Sequence, residues 1–449
     1  MLKKIIKKLD IDFDIANTLL LRVWSIISGG LLILMIPYFL TSPEQGYYFT
    51  FSSIIGLQIF FELGFNFVIT QMISHEMVGV KIVGDKLEGN DRSVTRIYSL
   101  IRMLIKWYAV ISLLFFIFVF SAGVHFFNTN GTLTTSQWIY AWFFISLFSA
   151  LNVFSSPFLS SLEGMGLVGK VARVRLYQSI TGYIGLAVLF LLHFRLNAIP
   201  IISGSAVLFS FFYILKIKFN ILFSPIKKIS KNKDNISISW RNEIFPFQWR
   251  IAISWISGYF IFQLFNPLVF TNQGATEAGK LGLLLTIFST LLTLSMSWIS
   301  AKIPTMSRLI SSNNRADLNA LFIKIFCCSL AFNVLLSLAF VLVVKILIIM
   351  NIPLVERISE FRTVMMVAII NIINHIIFCM ASYMRAHKEE PLLLNSVVTG
   401  LLVAVLSYLM SKHSVFAMMS SYLCVLVVIT LPWVFILFRR YYSFKKISY

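Results

Sequence analysis

Apolar runs long enough to cross a bilayer recur about twelve times along this chain, and no other feature restricts its fold as strongly. A helix needs about 20 consecutive apolar residues to span a hydrocarbon core of roughly 30 Å. Such runs fall at 17–40, 46–73, 104–127, 137–161, 172–194 and 198–221, and again at 245–270, 280–303, 320–348, 361–384, 391–411 and 414–437. They are continuously apolar, without the period-two alternation of a barrel strand, so they predict helices. Composition agrees. Of the 449 residues, 58% are hydrophobic and 12% charged, against roughly 25% charged in soluble domains.

The formal net charge of +20 would suggest nucleic-acid binding in a soluble protein, but its distribution excludes that partner here. Lysine and arginine concentrate in every second loop, as expected when basic residues are retained on the cytoplasmic side. Only Arg195, Lys280, Lys345, Arg357, Arg362 and Lys412 fall on the other side in a twelve-span reading with both termini cytoplasmic, and Arg22 lies inside the first span. The expected organisation is a six-helix bundle over 1–221, a basic cytoplasmic linker over 222–244, a second six-helix bundle over 245–438 and a basic cytoplasmic tail over 439–449. Within 1–14, Leu2, Ile5, Ile6 and Leu9 share one helical face opposite Lys3, Lys4, Lys7 and Lys8, the pattern of a helix lying on an anionic membrane surface. A signal peptide is not expected, because the following apolar run is too long and Thr41-Ser42-Pro43-Glu44 offers no cleavage site.

The two halves repeat. Ser25-Ile26-Ile27-Ser28-Gly29 matches Ser254-Trp255-Ile256-Ser257-Gly258, each shortly after an arginine, Arg22 or Arg250, and Glu44-Gln45-Gly46 matches Glu277-Ala278-Gly279 at a similar offset. Six spans per half preserve orientation, so the repeats are parallel and related by a pseudo-two-fold axis along the membrane normal.

Ionisable groups inside spans are expensive and mark candidate sites. Arg22 and Arg250 either reach back to cytoplasmic headgroups or converge as two guanidinium forks, which suit bidentate recognition of a pyrophosphate. Glu62, midway along the second span, serves either ion coupling or a structural pair with an arginine such as Arg22. His375, with Asn371 and Asn374 at helical spacing, is either a neutral hydrogen-bonded interior histidine or a polar group in a cavity. No metal site is expected from the scattered histidines and the cysteines Cys327, Cys328, Cys379 and Cys424, and no nucleophile stands beside a base. Gly164-Met165-Gly166-Leu167-Val168-Gly169 fits the dinucleotide fingerprint but joins two membrane helices without a preceding strand, so no nucleotide cofactor is expected. The absence of a Walker A sequence leaves an ion gradient or the membrane potential as driving force.

Tyr38-Phe39-Leu40-Thr41-Ser42-Pro43-Glu44-Gln45-Gly46-Tyr47-Tyr48, followed by Phe61-Glu62-Leu63-Gly64-Phe65, resembles the first hairpin of the Wzx flippases, and Leu162-Glu163-Gly164-Met165-Gly166 before Arg173 resembles their fourth-to-fifth helix connection. These flippases belong with multidrug exporters and lipid II flippases in one exporter superfamily. The resemblance implies two six-helix bundles in a V, working by alternating access in a bacterial inner membrane. It also implies a cargo, an undecaprenyl-pyrophosphate-linked oligosaccharide repeat unit of O-antigen or a related surface polysaccharide. A polysaccharide polymerase and chain-length regulator are the implied protein partners, beside membrane lipids. A multidrug or metabolite exporter is the alternative, and it would need acidic cavity residues to attract cations. A lipid II flippase implies fourteen helices, and an enzyme acting on the same lipid carrier would need larger outer loops than this chain has.

Overall fold

The computed structural model describes residues 13–84, 86–223, 239–387 and 391–443. The surface helix expected over 1–14, most of the linker expected over 222–244 and the end of the tail lie outside those residues. Among the described residues eleven helices are long and apolar enough to cross a membrane, and a bent pair counted as one span makes a twelfth. The all-helical membrane architecture expected from the sequence is therefore present.

In chain order the helices are α1 (Phe13–Phe39), α2 (Ser42–Ile55), α3 (Gln58–Glu62) and α4 (Phe65–Glu76), then a hairpin of β1 (Val80–Val83) and β2 (Lys86–Gly89), then α5 (Asp91–Asn130), α6 (Thr135–Gly164), α7 (Val168–Leu191), α8 (Pro200–Phe212) and α9 (Phe219–Leu222). The second half holds α10 (Phe245–Phe262), α11 (Phe265–Gln273), α12 (Ala275–Ser311), α13 (Arg315–Ile349), α14 (Phe361–Arg385), α15 (Leu393–Ser411), α16 (Val415–Val425) and α17 (Leu431–Tyr442). π-helical turns over Tyr213–Ile217 and Leu426–Thr430 sit within the span after Arg195 and within the last span.

Two departures from the sequence reading have clear causes. The third span begins at Asp91 rather than near 104 because its first three turns are amphipathic, burying Ile97, Tyr98 and Ile101 while Arg92 and Arg102 stay exposed. The antiparallel hairpin pairs Val80 with Gly89 and Val83 with Lys86; it is too short and polar to register among long apolar runs.

The chain forms two compact units. One comprises the described residues of Met1–Leu31, Ile54–Thr129 and Leu133–Ile256; the other comprises Leu32–Ser53, Asn130–Thr132 and Ser257–Tyr449. The last eight residues of α1 and all but the last two residues of α2 thus pack with the later helices.

In the first unit, α1 meets α7 through Trp24, whose Nε1 donates to Ser179 Oγ at 2.8 Å and whose ring meets Tyr183 edge-on. Gln178 of α7 donates to Ser210 Oγ of α8 at 2.8 Å. At one end Arg96 of α5 binds Glu76 at 2.6 Å and also Glu243, while Trp107 stacks on Trp240. Burial pushes the Glu243 carboxyl up, but the Ser239 backbone N–H and the Arg96 guanidinium outweigh it and hold the group below its ordinary range.

In the second unit the repeated Glu-x-Gly turns come together. A Cβ on Gly46 would lie 1.8 Å from the Ala275 carbonyl oxygen, and one on Gly279 would lie 2.7 Å from the Gly46 nitrogen. Only glycine permits this backbone approach of α2 to α12. Gln45 closes the junction, its Nε2 donating to the Gly279 carbonyl at 2.9 Å and to the Arg357 carbonyl at 3.2 Å. Thr41 and Glu44 cap α2, the Glu44 carboxylate accepting from the Thr41 N–H at 2.8 Å and its hydroxyl at 2.9 Å.

Candidate functional site

Each unit buries polar side chains of the sequence's candidate set inside its spans. In the first, the span is broken just past Glu62. Leu63 (φ +50°) and Gly64 (φ +68°) both adopt the left-handed conformation, and the two halves meet at 44°. Glycine takes this shape freely; a leucine there costs about 1–2 kcal/mol. Gly64 is also required by packing, because a Cβ would meet Ile251 Cγ2 at 2.5 Å.

Glu62 is 8% exposed, and its carboxylate is held by hydrogen bonds. It accepts from Gln58 Nε2 at 2.8 Å and Asn66 Nδ2 at 3.2 Å, with Ser156 Oγ 3.3 Å away. All three neighbours are neutral, and the pairing with Arg22 that the sequence left open is not formed. A carboxylate held by neutral dipoles in a strained, interrupted span can exchange a proton or cation without breaking a fixed ion pair.

Arg22 and Arg250 are both exposed, and among the described residues neither forms an ion pair. The Arg250 guanidinium sits 5.5 Å from the ring centre of its own neighbour, Trp249. In the connection after α6, Glu163 pairs with Arg175 at 3.0 Å and Gly166 turns with φ +86°.

In the second unit Ser329, Asn333 and Ser337 recur every fourth residue along α13 and meet α12 and α14 in a buried hydrogen-bonded ladder. Ser329 Oγ donates to the Ser295 carbonyl at 2.6 Å, which commits its only proton. His375 Nε2, 2.7 Å from the same oxygen, must then donate to it, so the imidazole carries a proton on Nε2. Asn333 Nδ2 donates to Ser295 Oγ at 3.2 Å, and Asn371 Nδ2 to Asn333 Oδ1 at 3.3 Å and Ser337 Oγ at 3.2 Å. Contacts of this kind between membrane helices are worth about 0.6–2 kcal/mol each.

The ladder backs a cavity of about 420 Å³ within the second unit, in the range of small-ligand sites. Asn371 and Asn374 line it, and Asn374 Nδ2 donates to Tyr422 OH at 3.2 Å. Ser52, Ser53, Gln263, Asn266, Ser289 and Thr293 add hydroxyl and amide groups, and Phe49, Phe262, Phe265 and Phe378 add ring surface. None of the lining residues is charged. The Asn266 amide oxygen is buried without a hydrogen-bond partner, an acceptor left for a ligand or water. His375 does not line the cavity; it stands behind it, in the ladder. Gln263 and Asn266 went unread in the sequence, although two amides flanking the break between α10 and α11 interrupt an apolar run.

Among the described residues no group of three or more His, Cys, Asp and Glu side chains could hold a metal ion. Neither a protein-family model nor a curated protein matches the sequence. Solved structures do. An inward-facing multidrug resistance transporter of the MATE family, in the MOP superfamily, is similar with a TM-score of 0.65 at 12% identity, covering 91% of this chain and 94% of that one. An outward-facing MATE-family transporter gives 0.57 at 12% identity over 96% and 97% of the two chains. A Pyrococcus furiosus MOP-superfamily transporter, described as having a binding pocket of reverse polarity, gives 0.54 at 11% identity over 96% and 97%. The fold is accordingly that of the MATE and other MOP-superfamily transporters.

Proposed function

We propose that the chain is an alternating-access exporter that passes a lipid-linked oligosaccharide across a bacterial inner membrane, with both termini cytoplasmic. The cavity of the second unit carries this reading. It is lined by hydroxyls, amides and phenyl rings without a charge, the combination that binds a neutral polyhydroxylated sugar through hydrogen bonds and ring stacking. A cationic drug would gain little there, because no carboxylate offsets its desolvation. A sugar and its phosphates cannot cross hydrocarbon unaided, whereas a polyprenyl tail stays in lipid.

Arg22 and Arg250 are assigned to the pyrophosphate, as exposed residues of the first unit that form no ion pair among the described residues. Glu62 is assigned to coupling with an ion gradient. The resemblance of the first hairpin to the Wzx flippases supports an O-antigen or related repeat unit, with polymerase and chain-length regulator as partners.

The test is a deletion strain and its complemented control, comparing surface polysaccharide with the pool of lipid-linked repeat units. Loss of polymer with repeat units held on the cytoplasmic leaflet is expected, and Asn374→Leu should restore less polymer than the wild-type gene. An unchanged profile together with increased drug sensitivity would favour a multidrug exporter, the activity named for several proteins of this fold.

A further inference from the structure

A second cavity, of about 740 Å³, lies on the second unit between the last turns of α1, the first turns of α12, the end of α13 and the turn Pro353–Arg357. Its walls are apolar, with Ile33, Leu283, Ile287, Phe340 and Leu347 on three helices, and its only charged lining residue is Arg357. The groove opens to the surface: Leu34 is 68% exposed and Tyr38 80% exposed.

Arg357 is held by its backbone and left unmatched at its side chain. Its carbonyl accepts from Gln45 Nε2, yet its Nη1 is buried without a hydrogen-bond partner. Neighbouring acids do not neutralise it, since Glu360 pairs with Arg362 at 2.6 Å and Glu356 forms no ion pair among the described residues. A buried guanidinium nitrogen without an acceptor is costly unless a ligand supplies one.

The dimensions identify the ligand. Arg357 lies in the turn that follows α13, and its carbonyl shares the Gln45 amide with Gly279, which sets it level with the start of α12. Measured at 1.5 Å per residue, the lining reaches about 9 Å along α1 from Phe39 to Ile33, about 13 Å along α13 from Ile349 to Phe340 and about 12 Å along α12 from Gly279 to Ile287. Half of a bilayer core is about 15 Å. A slot that reaches through most of one leaflet's depth, apolar along its length and cationic at its mouth, matches an acyl chain below an anionic headgroup.

We infer that this groove is a binding site for one anionic phospholipid, its phosphate on Arg357 and an acyl chain between α1, α12 and α13. The site is separate from the proposed cargo cavity and holds whether or not the cargo is a sugar.

The test uses the purified full-length protein in detergent, with phosphatidylglycerol and phosphatidylcholine as probes and native mass spectrometry as readout. Wild type should retain phosphatidylglycerol preferentially. Arg357→Gln should lower that retention about tenfold, the scale of one charge-assisted hydrogen bond. Ile287→Trp, which fills the slot and leaves the charge, should lower retention of both lipids, and Arg362→Gln should change neither. Equal retention of the two lipids by wild type, or an unchanged preference in Arg357→Gln, would overturn the inference. So would a co-purifying polyprenyl phosphate that phosphatidylglycerol does not displace.

Discussion

Gly46 offers the sharpest test of the packing that joins α2 to α12. Replacing it with alanine adds one methyl group whose carbon would lie 1.8 Å from the Ala275 carbonyl oxygen and 2.6 Å from its carbonyl carbon. An ordinary contact is 3.4 Å or more, so the helices must separate by roughly 1.6 Å at a junction where both sides are backbone and no rotamer can yield. Overpacking of this kind costs about 1–3 kcal/mol, against which the better helix propensity of alanine returns at most about 1 kcal/mol. Separation would also lengthen the Gln45 hydrogen bond to the Gly279 carbonyl beyond its present 2.9 Å. The expected result is a thermal midpoint several degrees below wild type in detergent, with Gly279→Ala lowered as well. Gly258→Ala is the control, since nothing lies within 4 Å of its added carbon, and it should match wild type or exceed it slightly. If Gly46→Ala were as stable as Gly258→Ala, the close approach would be wrong.

Three further outcomes are expected. Glu62→Gln should leave the protein folded, because an amide can still accept from Gln58, while transport driven by an imposed pH gradient falls to background; full coupling in that variant would remove Glu62 from the mechanism. His375→Leu should cost about 1–3 kcal/mol by orphaning Ser329 as an acceptor, with His375→Gln recovering part of the loss through its amide donor; a changed pH profile without lost stability would refute the structural role. At the junction of Arg96, Glu76 and Glu243, the lowered Glu243 carboxyl contributes stability that is present above its ordinary value of 4.5 and lost as pH falls through its folded value. Melting temperatures between about pH 6 and about pH 3 should therefore fall further for wild type than for Glu243→Gln.

The spans were legible because membrane solvent demands long apolar runs, which leave a strong signal even where boundaries shift. The bend was less so. Its cause is a leucine and a glycine, Leu63 and Gly64, turning left-handed together, and Leu-Gly is an ordinary dipeptide without the fold around it. The matched Glu-x-Gly turns showed themselves as a repeat, but sequence similarity alone did not reveal that Gly46 and Gly279 touch. Of the candidate site, Glu62, Asn371 and Asn374 stood out as polar groups in apolar surroundings, and the structure gives them partners or a cavity. Gln263 and Asn266 join Asn374 only through tertiary packing. The convergence envisaged for Arg22 and Arg250 depends on how two distant segments meet, which a residue pattern does not encode.

The ladder along α13 also bears on how the protein is made. Ser329, Asn333 and Ser337 place three polar groups on one stripe of the most apolar of the candidate spans. That surplus of apolar surface lets the helix leave the translocation machinery and enter lipid before any neighbour is available, carrying its unsatisfied hydroxyls and amide with it. α12 emerges earlier and supplies Ser295, while Asn371 and His375 arrive only with α14. The stripe thus works as an assembly mark: a helix stable alone in the bilayer, yet complete only when the helix before it and the helix after it have docked on the same side.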